Sequence, residues 1–522
     1  MSRATETALV REDRSVYEAL TAGAVGVSGL AFAVGLAALV DVVAIDDPVA
    51  GLPLSTALGA VLVVVGLGVV GFGVASRLGV VDTGPQPSAG IVATAAFTGL
   101  WLAIGALAAG SVGLEGVGRL AVAVVAGGVA FAATALPRED VGSTLPAGGV
   151  AVLAGAVLAS AVVGPGWERV LAGYDATLFG DTVVPVVVMV ASLVAGWGAA
   201  KAYGGFGARG RNVGAYVLIY LVVVAILSVL VGLVAFVTVR GLPGLFRGFG
   251  VGGPGLLRWP FLTNGAGLLA EVAGVFPALV GTVWLVVGAV LFAVPTGVGA
   301  AVFLSEYAEQ GRFTGAVEVA TNGLWSTPSI VFGLFGAAFL IPRFGNQKSL
   351  IAGMLTLGFM LLPLVLITSR EAILAVPDEY RDASAALGVS KWQTVRSVVL
   401  PAAIPGITTG VILGVGRIAG ETAPILLTTG GGVLPAKSAA PDVLGGFRLT
   451  GSPPFVSNPA LLEATSALPY QLYALITAGL SGNIENPQEF AWGLALTLLL
   501  VVLAFYAVGI ATRYYFRRKL HQ

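Results

Sequence analysis

Long apolar stretches alternate with short polar ones along almost the whole chain. A helix of about 20 apolar residues is long enough to cross the hydrocarbon core of a membrane, and about twelve such stretches can be counted. They lie near residues 18–40, 53–75, 91–110, 119–136, 147–164, 183–200, 214–238, 272–303, 318–341, 350–368, 402–429 and 489–512. The pattern therefore predicts an all-α protein with about twelve transmembrane helices embedded in the lipid bilayer.

The composition agrees with a membrane protein and excludes several classes of function. Of the 522 residues, 57% are hydrophobic and 10% are charged, and the formal net charge is zero. The sequence has no basic tract with interleaved aromatic residues, so nothing suggests a nucleic-acid partner. The chain has no cysteine and its only histidine is His521, so disulfides, thiolate metal sites and histidine-based catalysis are not expected, and no metal site is predicted. The Ala-, Gly- and Val-rich helices suggest a prokaryote with a GC-rich genome.

The basic residues and the glycine-rich stretches indicate orientation and domain organisation. Most lysines and arginines between the predicted spans fall on the side of the N-terminus, which predicts a plasma-membrane protein with both termini in the cytoplasm. The N-terminal segment has no clear cleavage site and is expected to be an uncleaved anchor. The flexible stretch KAYGGFGARGRN near residue 205 predicts a division into residues 1–205 and residues 206–522, with about six spans in each part.

A polar insert interrupts the second part at residues 382–401, DASAALGVSKWQTVRSVVLP. Gly388 is expected to end one short helix in a left-handed conformation. Ser390 and Gln393 have the spacing of a capping box, which predicts the start of a second helix, and Pro401 is expected to interrupt that helix as the chain re-enters the membrane. The sequence therefore predicts a cytoplasmic elbow of two helices joined by a glycine hinge, suited to a soluble partner.

Two charged residues fall within one predicted span. Arg417 and Glu421 are four residues apart, so on one helix their side chains share a face, and ionisable residues within the membrane are costly enough to suggest a functional site. The alternative is an ion pair that fixes helix packing or locks a gate. The charges of the N-terminal half, Glu139 and Asp140 among them, are expected at span ends, where they cost little.

The elbow resembles the cytoplasmic loop that ABC importer permeases share. The matching positions are Asp382, Ala383, Ser384, Gly388, Leu400 and Pro401, with Asp in place of the usual Glu and Ser in place of the second Ala. Three further stretches are similar to the phosphate-specific, PstA-type permeases: PTGVGAAVFLSEYA (295–308), STPSIVFGLFG (326–336) and GRIAGETAPILLTTG (416–430). The resemblance covers roughly residues 214–516.

The resemblance implies a fold, a function and partners. Residues 206–522 would form a six-helix type I importer permease domain, and the loop 370–401 would couple it to ATPase subunits. The partners would be a PstC-type second permease, two PstB-type ATPases and an external PstS-type phosphate-binding protein. The predicted substrate pathway comprises Arg417, Glu421, Thr422 and Ser329. No Gly-x-x-x-x-Gly-Lys-Ser/Thr loop occurs in the sequence, so we expect no cofactor in this chain and no enzyme activity of its own, with ATP used by the partners.

Several alternatives remain open at this stage. The nearest is a permease for another oxyanion, such as phosphonate, sulfate or molybdate. A self-sufficient secondary transporter or channel would have no need of the elbow, and a membrane enzyme would need converging catalytic groups that the sequence does not suggest. Residues 1–205 are expected to serve packing or assembly, with regulation or partner recruitment as the alternative. The loop 431–488 is expected either to contact the external binding protein or to pack on its own subunit.

Overall fold

The computed structural model describes residues 16–170, 177–251, 257–265, 274–309, 311–430, 440–452, 455–478 and 486–520. His521, most of the first twenty residues and parts of the loop 431–488 therefore lie outside the described residues. The chain forms two compact units, Met1–Leu233 and Val234–Gln522. The division falls within a long helix, whereas the glycine-rich stretch near residue 205 is the turn that precedes that helix.

The first unit consists of helices and two short β-hairpins. Its elements are α1 (Val16–Leu39), β1 (Pro48–Val49), β2 (Leu52–Pro53), α2 (Leu54–Arg77), α3 (Ile91–Ser111), α4 (Gly116–Ala135), α5 (Glu139–Ala159), β3 (Glu168–Val170), β4 (Thr177–Phe179), α6 (Gly180–Tyr203) and the first part of α7 (Gly207–Leu245). Both hairpins are antiparallel. The helices pack in nested pairs, α1 with α6, α2 with α5 and α3 with α4.

Glycines set the distance between α2 and α5. A Cβ atom added to Gly66 would lie 2.8 Å from the carbonyl oxygen of Gly148, and one added to Gly155 would lie 2.5 Å from that of Gly59. Only residues without a side chain allow the two backbones to approach this closely, which is how many membrane helices pack. The low-complexity glycine and alanine pattern of this half is therefore a packing feature.

The buried charges of the first unit differ from the sequence-based expectation. Glu139 and Asp140 are 0% exposed and Lys201 is 1% exposed. Helix α5 begins at Glu139, ahead of the predicted span 147–164, so its first turn is enclosed rather than placed at a hydrated end. The expectation that these carboxylates cost little is wrong, because each of them needs the charged and hydrogen-bonding partners that the structure supplies.

The second unit contains the remaining elements. These are the end of α7, β5 (Gly250–Val251), β6 (Leu257–Arg258), α8 (Pro260–Thr263), α9 (Phe276–Val302), α10 (Arg312–Ser326), α11 (Ser329–Phe335), α12 (Leu350–Leu374), α13 (Asp378–Ala386), α14 (Lys391–Thr394), α15 (Leu400–Ala419), α16 (Ala423–Thr428), β7 (Arg448–Leu449), β8 (Val456–Ser457), α17 (Pro459–Leu462), α18 (Leu468–Ala478) and α19 (Pro487–Leu520). The segments Phe303–Tyr307, Gly336–Leu340 and Val395–Val399 are π-helical, and Ile341–Arg343 is a 3₁₀ turn.

The predicted number of membrane helices is confirmed, and two predicted spans are broken. Within the described residues, 11 helices are long and apolar enough to cross a membrane, or up to 12 if a bent pair forms one span. The predicted span 318–341 is that bent pair, α10 and α11, with an angle of 102°. The predicted span 402–429 consists of α15 and α16 with a break between them. Pro328 and Pro424 lie at the starts of α11 and α16, where a residue without an N–H is tolerated.

The core of the second unit lies between α9 and α12. Leu285, Leu357 and Val365 are almost completely buried there, and a Cβ atom added to Gly297 would lie 2.8 Å from the side chain of Val365. Helix α18 buries Leu468 against other residues of its own unit. The described part of the loop 431–488 therefore contributes to packing within the chain.

Candidate functional site

The elbow has the predicted form of a helix, a glycine hinge and a second helix. Helix α13 ends at Ala386, and Gly388 follows with φ of +72°. The N–H of Gly388 donates to the carbonyl of Ala385 (2.9 Å), and the N–H of Val389 donates to that of Ser384 (3.1 Å). This pair of hydrogen bonds is a Schellman motif, which requires the left-handed residue that glycine supplies. Gly388 therefore has the left-handed conformation that the sequence predicted.

The second half of the elbow continues into the membrane helix. At its start the side chain of Gln393 accepts a hydrogen bond from the backbone N–H of Ser390 (3.2 Å), as the predicted capping box requires. The sequence suggested that Pro401 interrupts this helix, but the helix continues through Pro401. Helix α14 passes through the π-helical segment Val395–Val399 into α15, in whose first turn Pro401 lies. The wider helical turn precedes the proline, so the loss of one N–H does not end the helix.

The residues predicted to couple the elbow to ATPase subunits differ in their exposure to solvent. Asp382 and Ala383 are exposed, whereas Ser384 is 8% exposed and its hydroxyl donates to the carbonyl of Tyr380 (2.9 Å). Leu400 and Pro401 are half-buried at the start of α15. Ser384 therefore stabilises α13, while the first two residues are available to a partner.

Large apolar side chains are exposed on the same elbow, and the sequence analysis did not identify them. Tyr380 is 54% exposed, Leu387 82% and Trp392 57%. In a loop rich in charged residues, such side chains form a surface suited to a protein partner. Their signal in the sequence was weak, because a single Leu or Trp between charged residues does not reveal which way it points.

Arg417 and Glu421 approach each other, but not as residues of one helix. Helix α15 ends at Ala419, so Glu421 lies in the break before α16. The Nε of Arg417 lies 3.9 Å from Oε1 of Glu421, a loose pair. The guanidinium carbon lies 4.2 Å from the centre of the Trp325 ring, within the range of a cation–π interaction. Arg417 is thus held between an indole and a carboxylate.

The two helix breaks of this unit meet at that arginine. Trp325 is near the end of α10, just before the bend that Pro328 marks, and Arg417 is in the last turn of α15. Beyond the bend, α11 packs against α16, since a Cβ atom on Gly333 would lie 3.0 Å from the Cα of Pro424. The contact between Trp325 and Arg417 therefore joins one broken helix to the other.

The predicted pathway residues lie around these breaks. Ser329 is the first residue of α11 and Thr422 immediately precedes α16, and both are half-buried. Trp325 is the residue that the sequence analysis missed, although it directly precedes the stretch STPSIVFGLFG and lies three residues before Pro328. Within the part of the chain that the structure describes, no three Asp, Glu or His side chains converge to hold a metal ion.

Comparison with known proteins identifies the second unit. Residues 293–522 match the family described as "Binding-protein-dependent transport system inner membrane component". The "Probable ABC transporter permease protein YqgI" of Bacillus subtilis is 37% identical over 199 residues, which are 38% of this chain and 68% of that protein. The "Phosphate transport system permease protein PstA 1" of Mycobacterium tuberculosis (strain CDC 1551 / Oshkosh) is 36% identical over 242 residues, 45% of this chain and 70% of that protein. The chain belongs to the PstA-type family of ABC importer permeases.

Among solved structures, this chain has a low similarity to one ABC transporter. It is the inward-facing MetNI methionine ABC transporter, 20% identical, with a TM-score of 0.34 over 47% of this chain and 94% of that chain. The family match and the many long apolar helices make this PstA-type permease a multi-pass membrane protein and the transport component of an importer. Residues 1–292 precede the region that the family model matches.

Proposed function

We propose that this permease carries inorganic phosphate across the plasma membrane of a prokaryote. The observation that supports the proposal is the position of Arg417, half-exposed beside two helix breaks within a chain of very low charge. An arginine matches phosphate oxygens through its planar fork of N–H donors. Broken membrane helices expose backbone groups only where they are enclosed or line a cavity. These properties suit an anion pathway, and the names of PstA relatives point to phosphate as the anion.

The remaining pathway residues have complementary roles in this proposal. Arg417 attracts the anion, and Glu421 accepts a hydrogen bond from the P–OH that phosphate keeps at neutral pH. Thr422 and Ser329 supply hydroxyls at the starts of the two short helices. An oxyanion without a proton, such as sulfate, would meet the carboxylate as a like charge and would leave it without a donor. The proposal therefore favours phosphate over sulfate and molybdate.

The energy for transport comes from partner subunits in this proposal. The complex contains two PstB-type ATPase subunits, and the elbow of this chain binds an ATPase subunit through Asp382, Ala383 and its exposed apolar side chains. Gly388 sets the angle between the helices of the elbow. A PstC-type permease completes the pathway, and an external PstS-type protein delivers phosphate. ATP binding and hydrolysis alternate the pathway between outward-open and inward-open states. Both termini of the chain lie in the cytoplasm, on the same side as the elbow.

Transport by the reconstituted complex tests the proposal. The co-purified subunits are placed in proteoliposomes with the binding protein, and uptake of labelled phosphate is compared with uptake of labelled sulfate, with and without ATP. The proposal expects phosphate uptake only with ATP and ATPase subunits. Uptake without any ATPase subunit would favour a secondary transporter, and preferential sulfate uptake would favour the alternative oxyanion permease.

We propose a packing or assembly role for residues 1–205. The buried ion pairs of this region and the close glycine contacts between its helices are formed within the unit itself. Such internal contacts suit a structural role better than a transport role. Regulation or recruitment of a further partner is the alternative. A variant that begins near Lys201 should insert into the membrane and import phosphate, and loss of uptake in an assembled complex would favour a direct role.

A further inference from the structure

The cytoplasmic end of α9 contacts both halves of the elbow. Helix α9 continues without interruption into the π-helical segment Phe303–Tyr307. Within that segment, Glu306 pairs with Arg381 of α13, and the ring of Tyr307 lies 5.1 Å from the Nζ of Lys391 in α14. Two adjacent residues of one helix end thus reach the two helices of the elbow separately. Short π-helical segments within α-helices often occur at functional positions.

Arg381 makes more contacts than a surface ion pair needs. Its Nε and one terminal nitrogen donate to Oε1 of Glu306 at 3.1 and 2.8 Å. The guanidinium also donates to the carbonyl oxygens of Ile373 (3.1 Å) and Val376 (2.7 Å). These carbonyls lie at the end of α12 and in the turn that follows it, where helical donors run out. One side chain therefore joins the ends of α9 and α12 to the elbow.

The pair is enclosed enough to act as a firm contact. The side chain of Glu306 is 8% exposed and that of Arg381 is 22% exposed, so solvent and salt weaken the attraction less than they weaken an exposed pair. Beneath it, Ala301 of α9 packs in one apolar cluster with Ile373 and Val399. If α13 moved and the end of α9 did not, charge-assisted hydrogen bonds would break and this cluster would separate.

A continuous set of contacts leads from α9 to the helix break. Phe292 of α9 packs edge-on against Phe359 of α12, with ring centres 5.0 Å apart. Phe359 in turn packs against Phe335 of α11, with ring centres 5.6 Å apart. Helix α11 begins next to the bend at Pro328. Spatial continuity alone does not establish coupling, so a functional measurement must distinguish a transmitting contact from a purely structural one.

We propose that the Glu306–Arg381 ion pair, with the Tyr307–Lys391 contact beside it, is the linkage that passes movement of the elbow to α9. The inference rests on the proposed function, in which ATPase subunits move the elbow. Glu306 and Arg381 are positioning residues, since neither contacts ATP or the transported anion in this scheme. The linkage stays intact throughout the cycle, so that α9 and the elbow move together.

The first test measures how much phosphate is imported for each ATP hydrolysed by the complete complex. Glu306→Gln keeps the shape of the side chain and removes its charge. We expect ATPase subunits to co-purify in normal amounts while the ratio of phosphate to ATP falls about fivefold or more. Glu309→Gln is the matched control, because Glu309 is exposed three residues further along, and it should leave the ratio unchanged. An unchanged ratio in Glu306→Gln would overturn the inference.

The second test replaces the ion pair with a covalent bridge. The chain has no cysteine, so E306C together with R381C introduces the only two thiols of this subunit, and partners without cysteine complete the complex. A bis-methanethiosulfonate of about the length of the ion pair forms a disulfide with each thiol and releases sulfinate; this bridge should restore the phosphate-to-ATP ratio, and reduction of its disulfides should abolish the restored ratio. If the bridge instead stops transport, the contact must open during the cycle and the inference is wrong.

The two proposals fail in different ways. If the wild-type complex imports no phosphate, or if no ATPase subunit co-purifies with it, the proposed function is wrong. If the wild-type complex imports phosphate and the Glu306→Gln complex does so with the same ratio to ATP, only the linkage is wrong.

Discussion

The Nζ of Lys201 lies 2.8 Å from Oε1 of Glu139, and both side chains are buried within the first unit. Lys201 also donates to the hydroxyl of Ser143 (2.7 Å), and Glu139 accepts hydrogen bonds from the backbone N–H groups of Gln86 (3.1 Å) and Gly207 (3.0 Å). The pair thus joins α5 and α6 to the loop after α2 and to the start of α7. Buried charges require partners of this kind.

Removing one partner of this pair should destabilise the first unit. Lys201→Met leaves the buried Glu139 carboxylate with only the partly exposed Arg211 as a nearby cation, and the loss should be about 3–5 kcal/mol. Thermal unfolding of the purified permease in detergent would show a lower midpoint. Arg211→Met is the control, because Arg211 is 42% exposed and lies 3.7 Å from the same oxygen, so its loss should cost about 1 kcal/mol or less. Equal midpoints for Lys201→Met and Arg211→Met would contradict the prediction.

The hinge of the elbow should depend on the backbone angle of Gly388 rather than on space around it. A Cβ atom at this position would meet nothing within 4 Å, yet φ is +72°. A β-branched residue is strongly disfavoured in that conformation, whereas asparagine adopts it more readily. Gly388→Val should therefore insert normally and lose the ATPase subunits on purification, while Gly388→Asn should retain most of them. Normal assembly and transport by Gly388→Val would rule out a docking role for the hinge geometry.

Local features of this fold could be predicted from sequence, and contacts between distant segments could not. The Gly388 hinge and the Ser390 capping box depend on a few neighbouring residues, so their signatures were readable. Hydropathy averaged over a window does not register a bend, so residues 318–341 and 402–429 were each counted as one span, although Pro328 and Pro424 mark positions where a helix can bend. The burial of Glu139 depends on Lys201, which is distant in the chain, and no local pattern reveals such a partner.

Contacts between distant segments also account for what was missed at the candidate site. The spacing of Arg417 and Glu421 predicted their proximity, and the structure places their charged groups 3.9 Å apart. The spacing did not predict the contact with Trp325, because that residue belongs to another helix and reaches Arg417 only through the bend at Pro328. Similarly, Arg381 looked like one charge among several in the elbow until its contact with Glu306 was visible.

Trp325 should influence how the permease binds its anion. The indole ring holds the guanidinium of Arg417 at 4.2 Å, and such a contact contributes about 0.5–1 kcal/mol where it is partly exposed. Trp325→Leu should therefore raise the phosphate KM of uptake several-fold with normal assembly, and Trp325→Phe, which keeps an aromatic face, should raise it less. If Trp325→Leu and Trp325→Phe have the wild-type KM, the indole does not position the arginine for binding.

Arg417 itself should be essential if it attracts the anion. Arg417→Ala removes the guanidinium from both Trp325 and Glu421. We expect no ATP-dependent phosphate uptake by Arg417→Ala, although the variant should co-purify with all of its partners. Arg417→Lys keeps the charge without the planar fork, and it should recover only part of the uptake. Substantial uptake by Arg417→Ala would exclude the proposed role.

Glu421 should determine which oxyanion passes. In the break before α16 its carboxylate is not part of a regular helix, and its side chain is 18% exposed, so it can face a bound anion while staying close to Arg417. Phosphate can donate a P–OH hydrogen to the carboxylate, whereas fully ionised sulfate brings only acceptors and a like charge. A carboxylate left without a donor in a desolvated site costs more than the contact it replaces, which makes rejection of sulfate the stronger half of the selectivity.

Neutralising Glu421 should relax that selectivity. Glu421→Gln supplies an N–H donor and removes the charge, so sulfate should compete measurably with labelled phosphate in proteoliposomes, whereas it should not compete in the wild type. Glu463→Gln, which neutralises a carboxylate outside the site, is the control and should keep the wild-type selectivity. The lock alternative makes the opposite prediction. If Glu421 only fixes the helix break through Arg417, Glu421→Gln should change the transport rate or the stability of the complex and leave the preference for phosphate over sulfate unchanged.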